Sequence, residues 1–294
     1  MKITIIANPV AGRGRAYKII RRLTQHWPYQ DWEYEFLSTR CPEHAGILAL
    51  EQLPNPPDLL AVCGGDGTLH EVVSRVSNPP FPVALLPAGT ANVLARDLGL
   101  PLDPVRALEV ALKRAVRRVD LGMLTARGQH AFLLMAGVGF DAYVASKVRP
   151  AVKNKLGMFA YFVSTLHSLA TYAFPEFQVS AGDEHFTATS CLIANAKGYG
   201  GGLIFTPAAD MVDGLFDVLV LQGRPKLAYL RFLFDAWRGR PKSYSWIRQL
   251  RASSLKVTGP RGLWVQADGE LIGTLPLEVS IVRQAFPLVV PPEP

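Results

Sequence analysis

The densest group of residues able to do chemistry is Gly64-Gly65-Asp66-Gly67-Thr68, placed just after the apolar run 58–63 and just before a helix-like stretch. Three glycines let a backbone turn sharply and approach a ligand closely. A helix N-terminus offers unpaired N–H groups and partial positive charge, and parallel α/β sheets bind ligands outside the carboxyl ends of their strands. Phosphate suits such a place. A carboxylate in the same loop repels phosphate unless a cation intervenes, so Asp66 reads as a ligand on the Mg²⁺ side or as a base. The plain alternative is a turn whose Asp caps a backbone. Thr68 and Glu71 have the T-x-x-E spacing of a capping box for the following helix. Two more strand ends lie on the same expected edge: Asn8-Pro9-Val10-Ala11-Gly12-Arg13-Gly14, and Pro87-Ala88-Gly89-Thr90-Ala91-Asn92 with Thr90 as a candidate N-cap. Thr39 ends a further strand there. Each alone is a common turn; together they describe a nucleotide cradle. Other chemistry finds no support: the six histidines show no HxxxH spacing and no G-x-S-x-G elbow exists. His70 follows the glycine loop but falls on the helix.

The elements that must position these loops are readable from hydrophobic periodicity. Strands are expected at 2–7, 33–38, 58–63 and 82–86, alternating with helices at 15–26, 43–53, 69–76 and 91–98. Four βα units of this kind make a parallel sheet. Beyond residue 120 the pattern changes to β-type segments between Gly and Pro turns, at 130–136, 186–194, 215–221, 255–258 and 277–282, interrupted by helices at 158–172 and 226–237. The expected fold class is an α/β N-terminal domain, residues 1–122, followed by a β-sandwich over 123–294.

Composition agrees with two buried cores: 294 residues, 49% hydrophobic and 19% charged, which excludes a disordered scaffold. Windows 76–95 and 156–175 lack formal charge, but the first holds four prolines and the second a run of Ser, Thr and His, so neither reads as a membrane span. The opening apolar run is cut off by Asn8 and Pro9, too short for a signal peptide, and three scattered cysteines suggest neither disulfides nor zinc. A cytoplasmic protein is expected. The net charge of +7 is local: residues 224–261 carry ten Lys or Arg against one acid, Asp235. That segment also holds Tyr229, Phe232, Phe234, Trp237, Tyr244 and Trp246. Cations interleaved with such aromatics suit peripheral contact with an anionic membrane, or, more plainly, a solvated helix with its rings turned inward. No nucleic-acid-binding module is present, and no nucleic-acid partner is expected.

Longer strings carry a resemblance across nearly the whole chain. These are NPVAGRGRA at 8–16, CGGDGTLHEVV at 63–73, LPAGTANVLARDLGLP at 86–101, VDLG at 119–122, AGVGFDA at 136–142, KLGMFAY at 155–161, YGGGLIFTPAADMVDGLFDV at 199–218 and QADGE at 266–270. In order and spacing they resemble the diacylglycerol kinase and sphingosine kinase catalytic-domain family, specifically the bacterial YegS-type lipid kinases. The resemblance implies a nucleotide-binding domain related to phosphofructokinase and NAD kinase, a C-terminal β-sandwich, and Mg²⁺-dependent transfer of phosphate from ATP to a lipid hydroxyl. It implies that Asn8, Pro9, Val10, Ala11, Gly12, Thr39, Gly65, Asp66, Gly67, Thr68, Leu69, His70, Glu71 and Thr90 contact the nucleotide. Asp66 and Asp120 would organise the catalytic Mg²⁺, and Glu270 would accept the proton with Asp268 close by. Related eukaryotic lipid kinases give the base role to the carboxylate at the position of Asp66. From spacing alone, Asp268-Gly269 is equally a hairpin turn. Asp210, Asp213 and the carbonyl of Leu215 match a second, structural Mg²⁺ site. Phe140, Phe159 and Phe162 are expected to influence acyl binding.

GGDGT is shared with NAD kinases, but none of the six asparagines here is followed by Glu, as one is in those enzymes. A metabolite or NAD kinase is one alternative and a nucleotide- or lipid-binding regulator without catalysis is another. The lipid substrate, whether diacylglycerol, phosphatidylglycerol or a sphingoid base, stays open, as does a homodimer.

Overall fold

A computed structural model describes residues 1–25, 27, 29, 32–113, 115–126, 128–147, 158–223, 226–240 and 242–292. The chain forms two units, Met1–Val119 with Gln284–Pro294, and Asp120–Arg283.

In the first unit, runs of four to six apolar residues need cover on both faces, and a parallel sheet between helices supplies it. β1 (Lys2–Ala7), β2 (Glu33–Ser38), β3 (Leu59–Gly64) and β4 (Val83–Pro87) pair in parallel in the order β2-β1-β3-β4. β3 is buried along its whole length. The strands alternate with α1 (Ala11–Gln25), α2 (His44–Leu50), α3 (Asp66–Arg75) and α4 (Val93–Asp97), and α5 (Pro104–Leu112) follows. One side of the sheet packs Ile3, Ile5, Leu59, Ala61 and Leu86 against Ala16 and Leu23 of α1 and Ala107 and Leu108 of α5. Every expected βα unit is present, with shifted ends. α1 is regular only beyond Gly14, because Gly12, Arg13 and Gly14 all take left-handed angles. α3 starts at Asp66, three residues earlier than periodicity suggests.

The second unit is a β-sandwich. One sheet runs β14 (Ile247–Ala252), β13 (Phe216–Leu221), β10 (Ser190–Ala194), β7 (Met135–Gly139), β16 (Trp264–Ala267), β17 (Glu270–Thr274), antiparallel throughout. The other contains the first part of β18 (Leu277–Val289), then β15 (Ser254–Thr258), β8 (Phe177–Ala181) and β9 (Glu184–Ala188), with a hairpin of β5 (Val116–Thr125) and β6 (Gln129–Phe132). Phe132 stacks on Phe216 between the layers, ring centroids 5.6 Å apart. A short pair, β11 (Gly198–Tyr199) with β12 (Leu203–Ile204), and helices α6 (Phe140–Lys147), α7 (Met158–Thr171) and α8 (Lys226–Trp237) complete it. Two segments expected as single strands are each divided. Residues 130–136 break at Leu133 and Leu134, and 186–194 break at Thr189, which is buried and bonds the carbonyls of Leu221 and Gly223 while the chain changes sheets.

The C-terminal end of β18 belongs to the first unit. Leu288 pairs with Val83, Val290 N–H donates to the Ala115 carbonyl at 2.9 Å, and Arg118 donates to the carbonyls of Gln284 and Ala285 at 2.7 and 3.0 Å. Among the described residues no helix is long and apolar enough to cross a membrane.

Candidate functional site

Three loops meet at the carboxyl ends of β1, β3 and β4. Asn8 N–H donates to the Cys63 carbonyl at 2.9 Å, and Ala88 and Gly89 donate to the Gly64 carbonyl at 2.8 and 3.2 Å. A Cβ on Gly89 would lie 2.5 Å from Gly65 Cα, and one on Gly12, at φ +57, would lie 2.0 Å from the Ala88 oxygen. The loops therefore touch backbone to backbone, at distances no side chain permits. Beyond Gly67, in the first turn of α3, there is open space. Asn8 braces the arrangement: its Oδ1 accepts from Val10 N–H at 3.2 Å and its Nδ2 donates to Thr68 Oγ1 at 3.2 Å. Thr39 N–H donates to the Ala7 carbonyl at 2.9 Å, one strand over. Asn92 Nδ2 donates to the Gly89 carbonyl at 3.1 Å, while its Oδ1 is buried with no partner within the protein. The N-terminus of α3, open beyond Gly67, suits the phosphates of a polyphosphate ligand, whereas the unmatched Asn92 Oδ1 is an acceptor and suits a ligand hydroxyl or amine. Of the remaining expected contacts, Val10, Gly67 and Thr90 are exposed, Leu69 is packed inside, and His70 Nε2 bonds Ser74 Oγ along α3 at 3.2 Å.

The capping scheme differs from the one the spacing suggests. Thr68 and Glu71 do not form a capping box. Gly65 is the N-cap of α3, Thr68 already lies inside its first turn, and Glu71 instead accepts from Ala45 N–H at the start of α2, at 3.0 Å. Thr90 is not the cap of α4 either. Asn92 holds that position in a left-handed conformation, and Asp66 supplies the bonds, its two oxygens accepting from Val93 and Leu94 N–H at 3.0 and 3.1 Å. The Asp66 carboxylate thus serves the N-termini of two helices, α3 by position and α4 by hydrogen bond.

In the second unit Asp268-Gly269 is the tip of the β16–β17 hairpin, with φ of 48° and 88°. Positive φ at both central residues is the two-residue type I′ pattern. The Asp268 carboxylate accepts from three consecutive amides, Leu133, Leu134 and Met135, at 2.8, 2.9 and 3.0 Å, which is why the strand breaks there. Glu270, next along, is exposed.

Asp120 is fully buried and organises the turn before β13. Its Oδ2 accepts from Gly214 N–H at 2.7 Å and its own N–H donates to the Met211 carbonyl at 2.7 Å. In that turn Asp210 accepts from Val212 N–H and Asp213 from Leu215 N–H. The second Asp213 oxygen is paired with Arg251, whose Nε also lies 3.7 Å from Asp217, and the Asp213 carbonyl accepts from Arg283 at 3.0 Å. No group of three metal-ligating acids, histidines or cysteines exists among the described residues. As arranged, the positive charge at Asp213 is arginine's, and a divalent cation shared by Asp210, Asp213 and Leu215 has Arg251 to displace.

Three residues escaped the sequence reading of this region. Asp141, buried in the first turn of α6, accepts from Tyr199 Oη and, at 2.6 Å, from Gln266 Nε2. Gln266 Oε1 in turn accepts from Gly269 N–H at 2.7 Å, so the chain of bonds ends on the hairpin tip. A Cβ on Gly137 would fall 1.8 Å from the Asp141 carboxylate. Burial pushes the Asp141 carboxyl above its ordinary range, partly opposed by those two hydrogen bonds. The available signal was a single acid inside the apolar string MAGVGFDAYVA. Phe140, expected near an acyl chain, is buried among Phe174, Tyr172 and Tyr229, where it is core. The side chains of Phe159 and Phe162 lie outside the described residues.

Comparison with known proteins agrees with both units. Residues 2–124 match the diacylglycerol kinase catalytic domain, and residues 135–290 match the YegS C-terminal NAD kinase beta sandwich-like domain. Diacylglycerol kinases of Mycobacterium tuberculosis and Bacillus subtilis are 27% and 28% identical, over 99% and 98% of this chain and 95% and 96% of theirs. A Chromohalobacter salexigens protein named "Probable lipid kinase YegS-like" is 30% identical over 70% of this chain and 68% of its own. Among solved structures, a diacylglycerol kinase from Bacillus anthracis shares the fold at TM-score 0.75 and 21% identity, covering 99% of this chain and 97% of that one. An NAD kinase from Archaeoglobus fulgidus in complex with ATP does so more distantly, at TM-score 0.51 and 16% identity, covering 99% and 93%. With both halves matched in order along one chain, the protein belongs to the diacylglycerol kinase and YegS-like lipid kinase family and is a lipid kinase.

Proposed function

We propose that this kinase transfers the γ-phosphoryl group of ATP to the hydroxyl of a membrane lipid, diacylglycerol or a relative such as phosphatidylglycerol or a sphingoid base, with Glu270 as the base. The observation that carries the assignment is a contrast among the four acids. Asp66 and Asp268 hold backbone amides, Asp120 is fully buried, and Glu270 is exposed at the start of β17, next to the hairpin tip. A carboxylate so placed escapes the desolvation that would stop it meeting a substrate hydroxyl.

In the reaction the lipid oxygen forms a bond to the γ-phosphorus, the bond from that phosphorus to ADP breaks, and the hydroxyl proton passes to Glu270. The loops from Asn8 to Gly12 and Gly65 to Glu71, with Thr39 and Thr90, contact the nucleotide, its phosphates facing the N-terminus of α3. Mg²⁺, when bound, neutralises charge on the phosphates. Asp66 and Asp120 are the carboxylates assigned to its side, each while also holding a loop in place. The membrane contact is with an anionic surface, the lipid's own setting.

The test is direct. Purified protein is incubated with Mg²⁺, labelled ATP, a total lipid extract and NAD, and the labelled product is identified. A labelled phospholipid or phosphorylated sphingoid base is the expected result and names the substrate. Label in NADP would transfer the enzyme to the metabolite kinases, and no label in any product would remove the reaction.

A further inference from the structure

The segment 224–261 has a net charge of +9 where the whole chain has +7, and helix α8 within it holds aromatics that sequence alone leaves unsorted. The structure sorts them by face. Tyr229 and Phe232 are 3% and 1% exposed and pack with Tyr244 and Trp246 in a cluster of edge-on and tilted rings. Leu227, Leu230, Phe234 and Trp237 point the other way, at 84%, 37%, 52% and 63% exposure. At 3.6 residues per turn these four positions fall within an arc of about 80°. They form one continuous apolar stripe with no covering element among the described residues.

The exposed charges of α8 and of the residues that follow it to Arg240 have one sign. Lys226, Arg231, Arg238 and Arg240 are exposed, and the Arg238 guanidinium lies over the Phe234 ring, 5.8 Å from its centroid. Asp235, the single acid of the segment, is turned inward, 7% exposed and bonded to Tyr244 Oη at 2.6 Å. An outer face of Leu, Phe and Trp whose own helix exposes only cationic charges complements a layer of anionic headgroups over hydrocarbon. A second copy of the same face fits it poorly, because two-fold pairing would bring like charges together.

We propose that the outer face of α8 seats the enzyme on an anionic membrane, with Leu227, Leu230, Phe234 and Trp237 entering the acyl region and Arg231 and Arg238 meeting headgroup phosphates. The proposal rests on the lipid-kinase reading for its purpose, but it is measured without turnover. Aromatics of α8 that pack inward belong to the fold; those facing outward belong to the membrane.

The experiment compares the full chain with a Leu227→Ser, Phe234→Ser, Trp237→Ser triple variant and an Arg231→Gln, Arg238→Gln double variant. Each is sedimented with vesicles of phosphatidylglycerol and phosphatidylcholine, and with phosphatidylcholine alone. The parent should bind the anionic vesicles, less so as salt rises from about 0.1 M to about 0.5 M. The triple variant should lose on the order of tenfold or more in partitioning at every salt concentration. The double variant should lose mainly at low salt. All should phosphorylate a short-chain diacylglycerol in detergent micelles at the parental rate, since none of these residues belongs to the catalytic loops. Three results would overturn the proposal: a parent that ignores anionic vesicles, a triple variant that binds as the parent does, or a parental dimer that the triple variant dissociates. If vesicle binding behaves as expected while even the parent fails in micelles, docking stands and diacylglycerol falls as the substrate.

Discussion

Two of the chain's three Asp-Gly pairs, Asp66-Gly67 in the first unit and Asp268-Gly269 in the second, do the same local work to different ends. Asp66 heads helix α3 and binds two amides of α4; Asp268 caps a hairpin and binds three amides between β6 and β7. Around Asp66 the neighbours are glycines, so what the anchored loops display is main chain, able to hold a polyphosphate by its N–H groups. After Asp268 comes Gly269 and then Glu270, so what that anchored turn displays is a side chain. The lesson is that a carboxylate in a glycine-rich string does not announce a catalyst. Its hydrogen bonds have to be read as well, and here both Asp carboxylates brace backbone amides whatever further role each has.

The sharpest way to break this comparison is to neutralise one carboxylate of each kind. Glu270→Gln should lower phosphoryl transfer by roughly 10²- to 10⁴-fold, the usual effect of losing a general base, while leaving the melting temperature within error of the parent because the residue is exposed. Asp66→Asn should lower turnover by about 10²-fold and also lower the melting temperature, since one amide oxygen must then serve two N–H groups that a carboxylate shared. Turnover and thermal melts on the same preparations check both. A Glu270→Gln enzyme that keeps more than a tenth of parental turnover would move the base elsewhere.

Asp268→Ala sharpens the other half. Three amides lose their acceptor, and unfolding in urea should show a loss of about 1–3 kcal/mol, with turnover falling only as far as Glu270 is misplaced. Asp268→Asn should recover part of both. If alanine costs no stability, the anchor is no anchor and Asp268 returns to the list of catalysts.

How far the sequence carries this distinction depends on how local each interaction is. Strands β1 to β4 and their helices are legible because apolar runs alternate with glycine-bearing turns, and α8 is legible to the residue. The capping of α4 is not, because its acceptor sits 27 positions upstream at Asp66. Nor is the break between β6 and β7, whose cause lies more than 130 positions downstream at Asp268. The passage of β18 into the first unit is hidden by the polar pair Arg283-Gln284 and by Pro287, which interrupt the alternation expected of a strand. Glu270 was visible only as part of a longer resemblance; its neighbours' anchoring needed the structure.

A smaller effect concerns metal. The turn holding Asp210 and Asp213 is neutralised by Arg251 and Arg283. Millimolar Mg²⁺ should therefore leave the parent's melting temperature unchanged in the absence of nucleotide, and chelation should do the same. Arg251→Gln releases the Asp213 carboxylate, lowers stability without metal, and should make the melting temperature rise with Mg²⁺. A parent already stabilised by Mg²⁺ alone would show that the cation displaces arginine from this turn.

The smallest expected effect tests the buried bonds behind Glu270. Burial raises the Asp141 carboxyl above the roughly 4 of an unfolded chain, while Tyr199 and Gln266 hold it partly down. The native state then binds this proton more tightly than the unfolded state does. Its contribution to stability is complete below the unfolded value and is given up as pH climbs through the native one. The amide introduced by Asp141→Asn cannot titrate, so the difference in melting temperature, variant minus parent, should become more positive as pH is raised from about 4, whatever its absolute sign. Tyr229, which lies near Asp141, is pushed further up by burial, stays protonated across that window and is common to both proteins. A difference that stays flat with pH would mean that Asp141 is ionised in both states, and that the chain of bonds from Tyr199 to Gly269 is held by a charge the fold has fully compensated.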